Sequence, residues 1–159
     1  MRRLITGRRQ RELLTCLLLC FWIAASAVAA AAAPPATIAV SDAWIRWLPA
    51  NLPAGGYVTL TNTGTRVQLL TGATSPDFAE VSLHHSVQRD GVSQMEPVSR
   101  IEIPPGHALR LAAGGYHLML EQPTRPLKPG DEVSITLHFA GGASSTTQFA
   151  VRTPSGDKP

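Results

Sequence analysis

From Thr37 onward, apolar and polar residues alternate along several short stretches of the chain. Residues 57–61 and 133–139 follow this period of two, which places apolar side chains on one face of a strand and polar side chains on the other. Turn-forming residues separate the stretches about every eight to twelve residues, at 53–56, 62–64, 90–91, 104–106, 114–115, 129–131 and 141–142. The pattern predicts an all-β sandwich or barrel.

The chain has 159 residues, which is enough for one compact domain. A basic stretch, an apolar run from Leu13 to Ala25 and the small residues 27–29 follow one another at its start, an order typical of a secretory signal peptide. We expect a cleaved signal over 1–29, a linker over 30–36, one β-domain over 37–152 and a disordered tail over 153–159. A retained membrane anchor is the alternative, but it needs roughly 20 apolar residues, and this run ends in alanines and prolines.

Removal of residues 1–29 changes the charge of the protein. Five of the 14 basic residues and one of the 11 acidic residues leave with this segment, so the mature chain carries nine basic and ten acidic side chains, a net charge of −1. No basic excess remains to neutralise a phosphate backbone, and nucleic acid is therefore excluded as a partner.

Both cysteines, Cys16 and Cys20, lie in the same segment, so the mature chain has neither a disulfide nor a thiolate. Attachment of a lipid at Cys20 would place Leu19 where such a signal has a small residue. A twin-arginine export signal at Arg8 and Arg9 would be followed by polar residues where an apolar one belongs. We expect a thiol-free protein of the periplasm, or of the space outside the cell, without a membrane span in its mature form.

Candidate chemistry begins with the two methionines of the mature chain, Met95 and Met119. Met119 stands two residues after His117 on the predicted strand 116–120. Because strand side chains alternate, both project from one face, which we expect to be turned toward the surface. An imidazole and a thioether thus lie side by side.

The second histidine and methionine flank a predicted hairpin. Asp90-Gly91 between strand-like residues is a strong signal for a two-residue turn. This loop places Ser86 opposite Met95, so that His84 lies diagonal to Met95 at about 7 Å. A bulge would shift the register by one residue and turn His84 away.

Two imidazoles and two thioethers, from His84, Met95, His117 and Met119, form a soft, uncharged ligand set. Such a set suits one Cu(I) ion better than Mg²⁺, Ca²⁺ or Mn²⁺, and it lacks the thiolates of structural zinc sites. Thioethers do not titrate and cannot form disulfides, which fits an exported metal site. Without a carboxylate beside the metal or a cysteine ligand, neither a hydrolase nor a blue-copper protein is expected, so we predict a carrier and not an enzyme.

The spacing of these four residues resembles the motif of the periplasmic copper chaperones called PCu(A)C: ten residues separate His84 from Met95, twenty-one separate Met95 from His117, and one separates His117 from Met119. The resemblance extends over residues 38–151 and includes the segments 42–44, 55–64, 114–120 and 126–131.

This resemblance implies a cupredoxin-like β-sandwich or barrel of Greek-key type. It also implies transfer of Cu(I) toward the binuclear copper site of a haem-copper (cytochrome c) oxidase, often beside a thioredoxin-fold copper protein. Two departures stand out: many relatives have His-Glu-Met where this chain has His84-His85-Ser86, and the tail lacks the histidines and methionines that some relatives use for further copper. We expect one copper site in a monomer.

The remaining histidines and aromatic residues receive simpler interpretations. His85 should point away from the site, although a contribution to copper binding stays open, and His107 and His138 are expected in a loop and on a solvated face. Trp44, Trp47 and Tyr57 are expected to pack in the core or at its edge. Glu96 is expected to be a solvated charge.

Two other functions share this sequence pattern. A copper-sequestering protein without a dedicated acceptor would use the same ligands. A secreted β-sandwich that binds protein or sugar would contain these residues by chance.

Overall fold

The computed structural model describes residues 37–49, 52–153 and 155. The expected signal peptide and linker, and five of the seven residues of the expected tail, lie outside these residues. Ten strands make up the domain: β1 Ile38–Arg46, β2 Ala54–Asn62, β3 Gln68–Thr74, β4 Phe78–Arg89, β5 Val92–Pro97, β6 Ile101–Ile103, β7 Ala108–Leu111, β8 Tyr116–Pro123, β9 Glu132–Phe139 and β10 Ser144–Arg152. A single 3₁₀ turn, Ala140–Gly142, precedes β10.

The strands form one continuous hydrogen-bonded path in the order β5-β4-β8-β2-β1-β10-β9-β3-β6, and β7 pairs with β2. β1 and β10 run parallel, and the other pairs are antiparallel. β3 and β4 lie near opposite ends of this path, yet only residues 75–77 connect them. Such a short connection requires the sheet to curl on itself. The described residues form ten strands and no α-helix, so the predicted all-β class is confirmed.

No helix within the described ranges is long and apolar enough to cross a membrane.

The core lies inside the curled sheet. Along β9, four alternate residues are buried and the residues between them keep partial exposure, as the period-two pattern predicted. The largest fully buried side chains come from eight strands and include Ile45, Leu60, Leu70, Ile103, Leu111, Leu118, Leu120, Ile135, Leu137 and Phe149.

The predicted turn at residues 53–56 is wrong from Ala54 onward, because β2 already begins there. Gly55 and Gly56 pair with Met119 and Leu118 of β8. A Cβ on Gly56 would lie 3.1 Å from Cβ of Leu118, tighter than a well-packed core accepts without movement. These glycines serve close packing of β2 on β8 and not a reversal of the chain.

The β4–β5 hairpin has the predicted register. Arg89 pairs with Val92, and Ser86 pairs with Met95, without a bulge. Asp90 and Gly91 have φ angles of 51° and 77°, the left-handed conformation that a tight hairpin turn of this type requires. Since side chains alternate along each strand, His84, Ser86 and Met95 share one face of the sheet.

Candidate metal site

The two candidate imidazoles are direct cross-strand neighbours. β4 and β8 pair so that His84 lies opposite His117, and Ser82 lies opposite Met119. The centroids of the two imidazole rings are 6.0 Å apart, and the ring planes are inclined by 41°. His84, His117 and Met119 therefore share the outer face of the sheet with Met95 of β5.

Local hydrogen bonding determines which nitrogen of His117 is free. Its Nδ1 lies 3.0 Å from the carbonyl oxygen of Gly115, which can only accept, so Nδ1 carries the proton and donates. In the neutral tautomer that this bond selects, Nε2 is the nitrogen without a proton, and it is buried without a hydrogen-bond partner among the described residues. Metal-ligating histidines are commonly held in this way, with one nitrogen bonded to a carbonyl and the other directed at the metal.

His84 supplies a second buried nitrogen. Its Nδ1 also has no hydrogen-bond partner, and an unsatisfied buried polar atom costs free energy unless a ligand completes it. Burial of the imidazole lowers its pKa, the nearby His117 lowers it further, and the carboxylates of Glu121 and Glu80 act in the opposite direction. The neutral form, which binds metal, is thereby favoured.

The lowered pKa of His84 gives a prediction for the copper-free protein. The His84 ring should titrate with a midpoint below the ordinary value of 6.5, so that it stays neutral further into the acid range than an exposed histidine. The unfolded chain then binds more protons than the folded one as the pH falls below 6.5, and stability should decline with acidification until His84 is also protonated in the folded state. Ring-proton NMR of the folded protein measures the midpoint.

Replacement of His117 by asparagine is the control for this titration. Removal of the neighbouring imidazole removes one of the causes that lower the pKa, so the midpoint of His84 should rise. A midpoint at or above 6.5 in the unaltered protein would contradict the prediction.

The separation of the rings allows a shared ion. A metal about 2.0–2.1 Å from a ring nitrogen lies roughly 3.2 Å from the ring centroid, so two rings on one ion cannot have centroids more than about 6.4 Å apart. The observed 6.0 Å falls within this limit. The two imidazoles can therefore share a single metal ion between the two strands.

The two thioethers and His117 line one open groove, which has a volume of about 450 Å³. Met95 is 53% exposed, whereas His117 is only 5% exposed. The sequence placed His117 on a surface-facing side, and it does lie on the outer face, but neighbouring side chains cover it. His84 does not line this groove. Its ring lies beside that of His117, which does.

The described part of the chain offers no comparable set of ligands for harder metal ions. No group of three or more histidine, cysteine, aspartate or glutamate side chains there is placed to hold a metal. The candidate site depends on sulfur donors.

Tyr57 and Arg46 also line the groove, and sequence analysis missed both as neighbours of the site. Tyr57 is buried and its ring lies 4.7 Å from that of Trp44, so the assignment of these two residues to packing is confirmed. The alternation along β2 could have placed Tyr57 and Gly55 on the same face, but only the β2–β8 pairing brings them beside His117 and Met119.

Gly55 makes room for Tyr57, which gives a second prediction. A Cβ on Gly55 would lie 2.6 Å from the hydroxyl oxygen of Tyr57, so Gly55→Ala should displace the ring and lower the free energy of unfolding by about 1–3 kcal/mol. Chemical denaturation measures the loss. Gly72→Ala is the matched control, because a Cβ at that strand position meets no atom within 4 Å; equal losses in the two variants would contradict the prediction.

The other three histidines lie away from the site. The ring of His85 stacks on Tyr116 with centroids 4.3 Å apart, on the face opposite His84. His107 bonds the carbonyl of Pro105 in a loop, and His138 bonds the hydroxyl of Thr74 on a partly exposed face. Their predicted places are confirmed.

Glu96 is more than a solvated charge. It forms an ion pair with Arg89 across the β4–β5 hairpin at 2.7 Å, and both side chains remain well exposed.

Solved structures share this architecture, which confirms the predicted cupredoxin-like fold. The copper-bound PCuAC domain from PmoF2 aligns with a TM-score of 0.63 and 25% identity, over 76% of this chain and 97% of that domain. The solution structure of CuI-DR1885 from Deinococcus radiodurans aligns with a TM-score of 0.58 and 28% identity, over 79% of this chain and 83% of that one. Both are described as carrying copper.

Sequence comparison identifies the family. The Leifsonia xyli subsp. xyli protein named "Putative lipoprotein Lxx21020" is 35% identical over 120 residues, which cover 75% of this chain and 72% of the relative. Residues 38–151 match the family described as "Putative lipoprotein LpqE-like", a match that spans the β-domain and both strands of the imidazole pair. The chain therefore belongs to the LpqE-like family.

Proposed function

We propose that this protein is a copper chaperone that holds one Cu(I) ion through His84, Met95, His117 and Met119. The observation that carries the proposal is the pair of buried imidazole nitrogens without hydrogen-bond partners, on adjacent strands beside a groove lined by two thioethers. Buried polar atoms are rarely left unsatisfied without a functional reason.

The donor types favour Cu(I) over other ions. Neutral nitrogen and thioether sulfur are soft donors, and no carboxylate belongs to the set. The similarity to a copper-bound PCuAC domain and to CuI-DR1885 supports the same metal. Copper is cargo in this proposal: the ion is taken up, shielded and released, and no substrate is chemically changed.

Differences in exposure among the ligands support transfer. Met95 is about half exposed on the edge strand β5, whereas His117 is covered on β8, an internal strand of the sheet. An acceptor can reach the sulfur of Met95 first and replace it as a ligand, while the imidazoles still hold the ion. Stepwise exchange of this kind avoids free copper in solution.

The proposal also includes the cellular compartment of the protein and the protein that accepts its copper. The family and the PCuAC-like fold support an exported protein, and we place it in the periplasm as a monomer. The PCu(A)C resemblance points to delivery to the copper site of a haem-copper oxidase, directly or beside a thioredoxin-fold copper protein.

Copper binding is tested by anaerobic titration of the processed protein with Cu(I) in competition with a chromogenic chelator. We expect one tightly bound ion per chain, and X-ray absorption should show two sulfur and two nitrogen donors. Met95→Leu/Met119→Leu keeps the apolar volume without the sulfur. Equal affinity in this variant would rule out the thioethers as ligands.

A deletion strain separates delivery from copper sequestration. Loss of oxidase activity that added copper restores supports delivery. Unchanged oxidase activity with increased copper sensitivity supports sequestration instead.

A further inference from the structure

The outer face of the sheet continues from the candidate metal site to two arginines. Met119 pairs with Gly55, Gly55 pairs with Arg46, and Arg46 pairs with Arg152 on the parallel strand β10. Paired residues project from the same face of a sheet. One cross-strand row therefore leads from a candidate copper ligand, across a position without a side chain, to two adjacent guanidinium groups.

These two positive charges lack a negative partner within the described residues. Ion pairs there involve Arg89, Arg125 and Lys128, but neither Arg46 nor Arg152. The Nε atoms of both arginines are buried without a hydrogen-bond partner. Like charges on directly paired strand positions repel, and an unsatisfied buried donor adds a further cost.

Aromatic rings hold the guanidinium groups in place. The central carbon of Arg46 lies 5.7 Å from the ring centroid of Tyr57, and that of Arg152 lies 5.2 Å from the ring centroid of Trp44. Contacts of this kind stabilise a cation on a π face while its edge nitrogens stay available for a carboxylate. The arrangement positions the charges without neutralising them.

The charge of the groove is positive as well. Among its described lining residues Arg46 is the only charged one, and the others are apolar, small or hydroxyl-bearing. The protein's own net charge after signal removal is −1, so attraction of an anion here comes from this local pair and not from an overall positive field.

We propose that Arg46 and Arg152 bind an acidic segment of the protein that exchanges copper with this one. The inference rests on the proposed chaperone function and specifies its partner: aspartate or glutamate side chains next to the partner's own copper ligands. An acceptor that approaches the exposed Met95 in this open groove also covers Arg46. Bidentate bonds from the two arginines then set its orientation while the ligands exchange.

The test uses two synthetic acceptor peptides with an identical methionine-rich Cu(I)-binding core, one flanked by aspartates and the other by lysines. Stopped-flow fluorescence measures Cu(I) transfer from the processed, copper-loaded protein to each peptide. At low salt we expect transfer to the acidic peptide to be about tenfold faster or more, and the difference should shrink at high salt. Arg46→Gln/Arg152→Gln should abolish the preference.

Two matched variants accompany this experiment. Arg46→Lys/Arg152→Lys retains both charges and should keep most of the preference, which shows that the loss in the glutamine variant is electrostatic and not a folding defect. Arg66→Gln/Arg100→Gln removes two exposed charges outside the row and should also keep the preference. Equal rates for the two peptides with the unaltered protein, or a preference that survives the Arg46→Gln/Arg152→Gln change, would overturn the proposal.

Two further measurements separate this inference from its alternatives. Replacement of chloride by inorganic phosphate at constant ionic strength should leave the preference in place, and its loss would assign the arginine pair to a small anion. Fluorescence anisotropy of the acidic peptide with copper-free protein tests docking alone. Peptide binding without Cu(I) binding would refute the chaperone function, and with it a copper-exchanging partner, but would leave the arginine pair as a site for acidic peptides. Cu(I) binding without an acidic preference would refute the docking site only.

Discussion

Replacement of His117 by alanine should lower the affinity for Cu(I) more than about 100-fold. Loss of an outer-shell partner of a metal ligand already costs about 10–100-fold, and this change removes a ligand outright. The buried Nε2 of His117 has no hydrogen-bond partner among the described residues, so it is available to bind the ion. Competition titration with a chromogenic Cu(I) chelator measures the change.

His85→Ala is the matched control for this prediction. His85 follows His84 directly, but its ring stacks on Tyr116 on the other face of β4. The affinity for Cu(I) should therefore stay unchanged in this variant. If His85→Ala weakens binding as much as His117→Ala, the proposed ligand set is wrong.

Replacement of Asn62 by alanine should lower the free energy of unfolding by roughly 3 kcal/mol, because buried backbone groups lose their partners. Asn62 is fully buried, and its side-chain amide donates to the carbonyl oxygens of Ile103 and Arg66 at 2.8 and 2.7 Å. Its Oδ1 accepts from the backbone N–H of Gly64 at 3.0 Å. This one side chain ties the end of β2 to the following turn and to β6.

Thermal denaturation measures this effect, with an expected decrease in melting temperature of about 10 °C. Thr63→Ala is the control, since the exposed hydroxyl of Thr63 makes one bond of 3.2 Å and surface changes typically stay within about 0.5 kcal/mol. Asn62 lies at the end of β2 remote from Gly55, so Cu(I) affinity should not change. Comparable destabilisation in both variants would show that the Asn62 bonds contribute little.

Local patterns account for what sequence analysis predicted correctly. The Asp90-Gly91 turn determines the β4–β5 register, and that register places Ser86 opposite Met95. Alternation along β8 likewise places His117 and Met119 on one face. In each case the residues concerned are close in sequence, where backbone geometry and turn type leave few alternatives.

Local patterns of this kind do not predict contacts between segments that are distant in sequence. The cross-strand pair of His84 and His117 depends on the β4–β8 register, and the pair of Arg46 and Arg152 depends on the parallel alignment of the first and last strands. A glycine pair can indicate either a turn or close packing of two strands. The sequence alone therefore did not show that Gly55 and Gly56 lie within β2.

The sequence by itself determined the all-β class, the hairpin register and the soft character of four candidate ligands, because these follow from side-chain chemistry and from periodicity within short segments. Only the tertiary structure decided three further points. Among the described residues, two imidazole nitrogens are buried without hydrogen-bond partners and two arginines without ion-pair partners continue the row from Met119. Met95 is exposed, whereas His117 is covered. The physical reason is that burial and charge compensation depend on which strands become neighbours, and non-local pairing brings these strands together.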